Sequence, residues 1–285
     1  MLVQKNYPTV FVDDGATLTD VSFDALSFGR DAFSCEITAA GNYLYFGRYK
    51  PFAALYVEMG NANTQAQSEF LIEYWNGSAW AGLTDSVIDD TKGFTRSGFI
   101  QFTPPSDWAS GTFGPRDAYY IRFIPSEDFS AGCTVQGMNL VYSDDQDLNT
   151  VYPGVLNYKH SGEASFILRH EAARDRIVQD VRNRGFRKVG VSGTTMLRRY
   201  ANYDAWDVLD VSEVKEWAKY LALENIFSSL QSTEDGLYKQ KAEEYRELAQ
   251  EARAAFYLTL DQDDDGVADA GESSMDISSR RLVRR

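Results

Sequence analysis

The sequence predicts an α+β protein of two domains, an all-β domain followed by an α-helical domain. Short aromatic and β-branched runs fill the first half, apolar residues recur at three- and four-residue steps in the second, and a polar segment with Pro153-Gly154 separates them. The chain has 285 residues, 44% of them hydrophobic, which is enough for two domains with a sizeable core. We predict a β domain over 1–145, a linker over 146–162, a helical domain over 163–260 and a terminal segment over 261–285.

The first domain is predicted to be a β-sandwich or jelly roll. Its candidate strands are separated by clusters of Gly, Asn, Asp, Pro and Ser, and none has the length of a helix. Asn76-Gly77 lies between Trp75 and Trp80, a composition typical of a tight hairpin turn whose two central residues have positive φ. The candidate strands are 43–46, 52–59, 70–75, 99–103, 118–124 and 134–142.

The aromatic residues of this domain allow two interpretations. Aromatic side chains in strands are commonly part of the core or of cross-strand pairs. They also offer flat surfaces on which sugar rings stack, and the candidates for such a glycan site are Trp75, Trp80 and Trp108, with Tyr74 and Tyr119 beside them.

The two cysteines, Cys35 and Cys133, both lie in strand-like sequence. In a reducing cytoplasm we expect them to be buried thiols. Two cysteines and two histidines at scattered positions do not match the spacing of a zinc site, so we predict none.

A helix is predicted over 163–184, ending at Gly185. Two interpretations of its arginine-rich surface remain open: the helix packs on its neighbours and shows its charges to water, or it forms a subunit interface where guanidinium groups meet carboxylates. Its narrow apolar stripe consists of Phe166, Ile167, Ile177, Val178 and Val181, and the candidate interface residues are Arg169, Arg174, Arg176, Arg182 and Arg184.

Two more helices are predicted within 210–260, joined by a turn over 232–236, with Asp210 and Glu213 as a capping pair. Apolar residues spread around most of the first helix, whereas those of the second form one stripe. Because a hairpin cannot cover the first helix, the rest of the chain or a neighbouring copy must do so, and Trp217 is our candidate interface residue there. The apolar positions are Val214, Trp217, Leu221, Leu223, Ile226, Phe227 and Leu230, then Tyr238, Ala242, Tyr245, Ala249, Ala252 and Phe256.

Residues 261–272 have the spacing of a calcium-binding loop, with Gly266 at the sharp turn of position 6. Two interpretations are open: a structural Ca²⁺ that fixes the exit of the tail, or a solvated acidic connector. The candidate ligands are Asp261, Asp263, Asp265, the carbonyl of Val267, Asp269 and Glu272.

The net charge of −14 is unevenly distributed along the chain. It is −11 over 1–150, +6 over 151–199, −12 over 200–272 and +3 over the remainder. Unlike patches of this kind are expected to meet within the fold or between copies, and the basic excess is too small for a surface that grips duplex DNA. The basic tail, with Arg280, Arg281, Arg284 and Arg285, is predicted to be disordered or to dock on a neighbour as an arm.

We do not predict an enzyme. His160 and His170 flank no nucleophile motif, and no Gly-x-Ser-x-Gly or His-Glu-x-x-His occurs. His170, on the arginine-rich helix, is expected at the surface. Since there is no run of eighteen apolar residues and no signal-peptide pattern, we expect synthesis in a cytoplasm and no membrane association.

Several motifs resemble structural proteins of tailed bacteriophages. YWNGSAW (74–80), GFTRSG (93–98) and TPPSDW (103–108) look like a β-sandwich module of virion surface proteins. AARDRIV (172–178), DVSEVKE (210–216) and the acidic loop before the arginine tail are similar to the head–tail adaptor, or head-completion, proteins of the phage neck. Together these stretches are distributed over most of the chain.

The resemblance implies a structural virion protein that forms a homo-oligomeric, dodecameric ring beneath the portal protein. In such rings helices form the tube, terminal arms contact the portal or the next neck or tail-terminator protein, and DNA passes through the lumen without sequence-specific binding. An acidic helical face suits such a channel because like charge opposes phosphate binding. The implied location is the virion neck, after synthesis in the host cytoplasm. The alternative is a baseplate or tail-fibre component with a glycan-binding β-sandwich, since the same module occurs there.

Overall fold

The computed structural model describes residues 7–29, 31–38, 41–65, 70–83, 87–114, 116–185, 204–231, 236–255, 257–259, 266–267 and 275–276. The chain divides into two compact units. The β unit comprises Met1–Leu140 with Asp264–Val267, and the helical unit comprises Val141–Asp263 with Ala268–Arg285. Antiparallel sheets in the N-terminal part and helices in the C-terminal part confirm the predicted α+β class.

The β unit contains two antiparallel sheets. Its strands are β1 (Thr9–Asp13), β2 (Leu18–Asp20), β3 (Phe33–Ser34), β4 (Tyr43–Arg48), β5 (Ala54–Asn61), β6 (Phe70–Trp75), β7 (Trp80–Gly82), β8 (Ile88–Asp89), β9 (Gly98–Gln101), β10 (Ser110–Thr112), β11 (Asp117–Pro125) and β12 (Thr134–Asn139). The first sheet has the order β2-β1-β4-β11-β6-β7, with β10 paired to β11, and the second has the order β3-β12-β5-β9-β8. A short helix that we did not predict, α1 (Ser22–Ala25), follows β2.

The first sheet has an inner and an outer face, because side chains alternate along each strand. Leu44 and Phe46 of β4 share the inner face with Ile121 and Phe123 of β11, and all four side chains are buried. The ring of Phe46 contacts that of Phe52, which lies just before β5 of the second sheet. The inner face therefore belongs to the core of the β unit.

The strand predicted over 134–142 ends at Asn139. The side chain of Asn139 explains this end, since its Oδ1 accepts the N–H of Leu140 and its Nδ2 donates to the carbonyl of Leu26. An amide side chain that bonds to the backbone locally competes with the strand ladder.

The hairpin predicted at Asn76-Gly77 is present, with Trp75 opposite Trp80, but its turn differs from the prediction. The loop has four residues, and only Gly77 among them has positive φ. The Oδ1 of Asn76 accepts the N–H groups of Ser78 and Ala79, so Asn76 stabilises the loop through its side chain and not through a left-handed backbone.

The helical unit begins at Val141, before the segment 146–162 that we predicted as a linker. Its helices are α2 (Asp145–Val151), α3 (Ile167–Gly185), α4 (Ser212–Ser229) and α5 (Gly236–Ala255), with 3₁₀ turns at Val155–Tyr158 and Ala205–Asp207 and a short ladder of β13 (Tyr257–Leu258) and β14 (Met275–Asp276). The carboxylate of Asp144 accepts the N–H of Asp147, and that of Asp147 accepts the N–H of Asp144. This capping box starts α2, which extends into the segment predicted as a linker.

Helix α4 is buried on most of its sides, as its apolar pattern predicts. It packs against α3 and α5, and also meets α2 and β13. All its predicted apolar positions within Ser212–Ser229 are buried, while α5 buries the single stripe of Ala242, Tyr245 and Ala249. The chain itself therefore covers α4, and a neighbouring copy is not needed for that purpose.

The predicted capping pair at the start of α4 is wrong. Asp210 accepts the N–H of Ser212 through Oδ1, but Glu213 does not reach back to Asp210. The Glu213 carboxylate instead accepts the N–H and the hydroxyl of Thr259, at 2.6 and 2.8 Å. It thereby ties the segment after α5 to the first turn of α4.

Candidate functional site

The candidate functional site is a group of aromatic side chains on the outer face of the first sheet. Tyr45 lies opposite Arg122 in the sheet, and Arg122 lies opposite Glu73. Alternation puts Tyr43 and Trp75 on the same face as these three. We call the group the outer aromatic patch, and it consists of Tyr43, Tyr45, Trp75, Trp80, Phe113 and Arg122.

Three of these rings form the compact part of the patch. The ring centroids of Trp75 and Trp80 are 5.6 Å apart, and Phe113 lies 5.0 Å from Trp75 and 4.8 Å from Trp80. Gly111 of β10 makes room for them, because a Cβ there would lie 2.8 Å from Cδ1 of Trp75 and 2.7 Å from Cε2 of Phe113. Both indoles are half-buried, so part of each reaches the surface.

Arg122 brings charge to the patch. Its guanidinium carbon lies 4.3 Å from the ring centroid of Tyr43 and 4.5 Å from that of Trp80, close enough for cation–π attraction to both. Its Nη2 is 2.6 Å from Oε2 of Glu73, and the two side chains are only 16% and 17% exposed. Burial raises the pKa of the Tyr45 hydroxyl, and a hydrogen bond with Arg122 partly opposes this shift.

The patch offers a partly exposed aromatic surface beside the Arg122–Glu73 pair. Indole surfaces of this kind contact C–H groups. The structure thus brings together Trp75 and Trp80, two of the three residues predicted for glycan binding.

Trp108, the third predicted residue, is in the core. It is 7% exposed and packs against Phe52, Phe102 and Tyr74. Its Nε1–H donates to the carbonyl of Tyr120, so both the ring and its polar group are used inside the β unit. The glycan prediction is therefore wrong for Trp108.

Three arginines of α3, Arg169, Arg174 and Arg176, form ion pairs within the chain. Arg174 is buried and pairs with Glu171 and Asp175 of its own helix. Arg176 donates to Oε2 of Glu224 in α4 at 2.8 Å. Arg169 lies 3.8 Å from Glu163, and Arg182 is half-buried.

Glu224 is the meeting point of the three long helices. This buried carboxylate of α4 accepts from Arg176 of α3 and from Arg246 of α5, both at 2.8 Å. Asp180 of α3 also pairs with Arg253 of α5. The Arg176–Glu224 pair thus joins the basic block 151–199 to the acidic block 200–272 inside the helical unit, one of the two possibilities that we considered.

Trp217 is 3% exposed and lies in the buried part of α4. A neighbouring subunit could not reach its ring without displacing the residues around it. The prediction of Trp217 as an interface residue is therefore wrong, because the chain itself covers this ring, which was one of the two possibilities left open by the sequence.

Most of the candidate calcium loop and of the arginine tail lies outside the described residues. This holds for Asp261, Asp263, Asp265, Asp269 and Glu272, for Arg280, Arg281, Arg284 and Arg285, and for the side chain of Arg184. Gly266 has φ +77°, the left-handed backbone that the predicted sharp turn requires, and a Cβ on it would lie 2.9 Å from Cβ of Pro51. Within the described ranges no cluster of His, Cys, Asp or Glu could hold a metal ion.

A buried polar cluster that the sequence did not predict lies at the start of the helical unit. His170 is almost fully buried, so its predicted surface position is wrong. Its Nδ1 lies 2.8 Å from the hydroxyl of Ser143, and its Nε2 lies 3.3 Å from Oδ1 of Asp145. The sequence does indicate that His170 is buried, because it falls on the same three- and four-residue steps as Phe166, Ala173 and Ile177.

Comparison of the sequence with protein-family models and with curated proteins finds no match. Among the described helices, none has the length and apolar character required to cross a membrane.

Proposed function

We propose that this chain is a structural protein of a tailed-phage virion, a head–tail adaptor whose copies form a ring between the portal and the tail. In this proposal the two sheets are a jelly-roll-like sandwich that serves as a decoration module. Helices α3, α4 and α5 are an adaptor-like three-helix domain, and the acidic loop and basic tail are the arm that meets a neighbour.

The exposed face of α5 is the observation that carries the proposal. Glu243, Glu247 and Glu251 recur at four-residue steps on the face opposite the buried stripe of Tyr245 and Ala249. A rigid helix with a row of exposed carboxylates suits the wall of a channel through which DNA slides, because like charge prevents tight binding to phosphate. The ion pairs at Glu224 and Asp180 hold α5 against α3 and α4, which gives the wall its rigidity.

The assembly can be tested with the full-length chain and the portal protein of the same genome. Multi-angle light scattering and negative-stain images should reveal rings, either of the chain alone or on addition of portal. A monodisperse monomer that does not bind portal would contradict the proposal.

A charge reversal tests whether α5 lines the channel. The variant Glu243→Lys/Glu247→Lys should form the same rings and should acquire retention of duplex DNA. The matched control is Asp31→Lys/Glu127→Lys, which makes the same change in net charge at exposed positions of the β unit. If both variants, or neither, retain DNA, α5 does not line the channel.

The outer aromatic patch favours a second candidate function, a glycan-binding component of the baseplate or tail fibre. Trp75, Trp80 and Phe113 form a half-buried aromatic surface beside the charged pair Arg122–Glu73. Glycan-array binding by the full-length chain should be lost in Trp80→Ala, with the melting temperature of the helical unit unchanged. Trp108→Phe is the matched control, since this indole is in the core. Equal loss of binding in both variants would indicate unfolding and would count against this candidate.

A further inference from the structure

Cys35 and Cys133 are neighbours across the edge of the second sheet, although 98 positions separate them in the chain. Ser34 of β3 lies opposite Thr134 of β12, and the next step of this register puts Cys35 opposite Cys133. The N–H of Cys35 donates to the carbonyl of Cys133 at 3.1 Å, and the two Sγ atoms are 3.2 Å apart. Both are free thiols and both are buried.

This placement satisfies the backbone requirement of a disulfide. Directly opposite residues of an antiparallel pair have Cα atoms about 4.5–5.5 Å apart, within the range of about 4.4–6.8 Å that disulfides occupy. The sulfur atoms need to approach by only about 1 Å to reach the bonded distance of about 2.05 Å. A change of side-chain torsion can supply this movement, and the strand register can stay as it is.

The hydrogen bond between the two thiols lowers the pKa of Cys133 and raises that of Cys35, which burial raises further. Since the thiolate is the nucleophile, we expect Cys133 to react first. Access requires opening of β3, which has two residues and pairs with β12 at the edge of the sheet.

We propose that Cys35 and Cys133 form an intramolecular disulfide when the folded protein meets a small-molecule disulfide such as oxidised glutathione. The bond fastens the edge strand β3 to β12. The inference does not depend on the proposed function, and it adds a covalent state to a pair that the sequence predicts only as buried thiols.

The exchange balances in two steps. The Cys133 thiolate attacks one sulfur of oxidised glutathione, which forms a mixed disulfide and releases one glutathione thiolate. The Cys35 thiol loses its proton, and its sulfur attacks Sγ of Cys133 and releases the second glutathione. The protein loses two hydrogen atoms and is oxidised by two electrons, and one oxidised glutathione becomes two reduced molecules.

The test compares the full-length protein after equilibration with oxidised or with reduced glutathione. Oxidation should lower the intact mass by about two hydrogen atoms and abolish maleimide labelling in denaturant, with the chain still a monomeric species on a non-reducing denaturing gel. Because the bond closes a long loop, the melting temperature of the β unit should rise by roughly 5–15 °C, and reductant should reverse the rise.

Cys35→Ala/Cys133→Ala is the control, and its melting temperature should be the same under both conditions. The comparison of oxidised with reduced wild-type protein needs no variant, so a poorly folded control does not obscure the result. Two free thiols after prolonged oxidation, a stable mixed disulfide with glutathione, or disulfide-linked dimers would each overturn the proposal.

Discussion

The hydroxyl of Ser143 lies 2.8 Å from Nδ1 of His170, and both side chains are almost fully buried in the helical unit. On its other side, His170 meets Oδ1 of Asp145, which also accepts the N–H of Phe166. If the ring donates from Nε2 to this carboxylate, Nδ1 accepts the hydroxyl proton of Ser143. The cluster thus joins the start of α2 to the first turn of α3.

We expect His170→Leu to lower the free energy of unfolding by about 1–3 kcal/mol, because it leaves the buried Ser143 hydroxyl without its partner. The second variant, Ser143→Ala/His170→Leu, removes both polar groups and should recover part of this loss. Urea unfolding of both variants and of Ser143→Ala closes the double-mutant cycle. Strict additivity would show that the hydrogen bond contributes nothing.

Glu224→Gln should destabilise the helical unit by about 1–2 kcal/mol, since two half-exposed arginines of different helices then lose a buried carboxylate. The matched control is Glu244→Gln, which removes an exposed partner of Lys241 within α5 and should cost at most about 0.5 kcal/mol. Thermal or urea unfolding followed by far-UV circular dichroism distinguishes them. Equal effects would mean that the ion pairs at Glu224 do not hold the three helices together.

Arg122→Ala should lower the stability of the β unit by about 1–2 kcal/mol, because it removes two cation–π contacts and the pair with Glu73. It should also change the emission of Trp80, whose ring loses its cover. Arg116→Ala, at an exposed position before β11, serves as the control and should change neither quantity. Unchanged fluorescence in Arg122→Ala would show that Arg122 does not lie over Trp80 in solution.

We expect the free energy of unfolding of the helical unit to fall at alkaline pH because of Tyr245. Burial raises the pKa of Tyr245 from 10.0 to about 12, so the folded state favours the neutral phenol. This contribution is fully present below pH 10 and is lost as the pH rises through 12. Tyr245→Phe should therefore lose less stability than the wild type between pH 10 and 12, measured as urea midpoints. Tyr7→Phe, which changes an exposed tyrosine, should follow the wild type.

Periodicity was enough to predict the helical layer and most of the strands. The apolar steps of Trp217, Leu221 and Phe227 predict a helix buried on several sides, and the structure confirms it. These steps do not indicate whether the residues that bury the helix belong to the same chain, because that depends on which helices pack together. The outer aromatic patch was predicted only at Trp75 and Trp80, which flank a recognisable hairpin.

The sequence did not predict which distant strands pair. It also did not predict where a side chain that could cap a helix binds another partner. Cys35 and Cys133 meet only because β3 pairs with β12, a pairing that no local pattern encodes. Glu213 stands three residues after Asp210, the spacing of a capping pair, yet its carboxylate accepts a hydrogen bond from Thr259, which follows the next helix. Trp108 lies in the loop between β9 and β10. Outside a strand there is no alternation of side chains that would indicate its direction, so its place in the core could not be predicted from the sequence.

A cryo-electron microscopy map of the intact virion, at a resolution that shows helices, tests the proposed role most directly. We predict copies of the α3–α4–α5 layer arranged in a ring between portal and tail, with the glutamates of α5 facing the DNA channel. Density for this chain in the baseplate or fibres, or absence of the chain from the purified particle by mass spectrometry, would contradict the assignment to the neck.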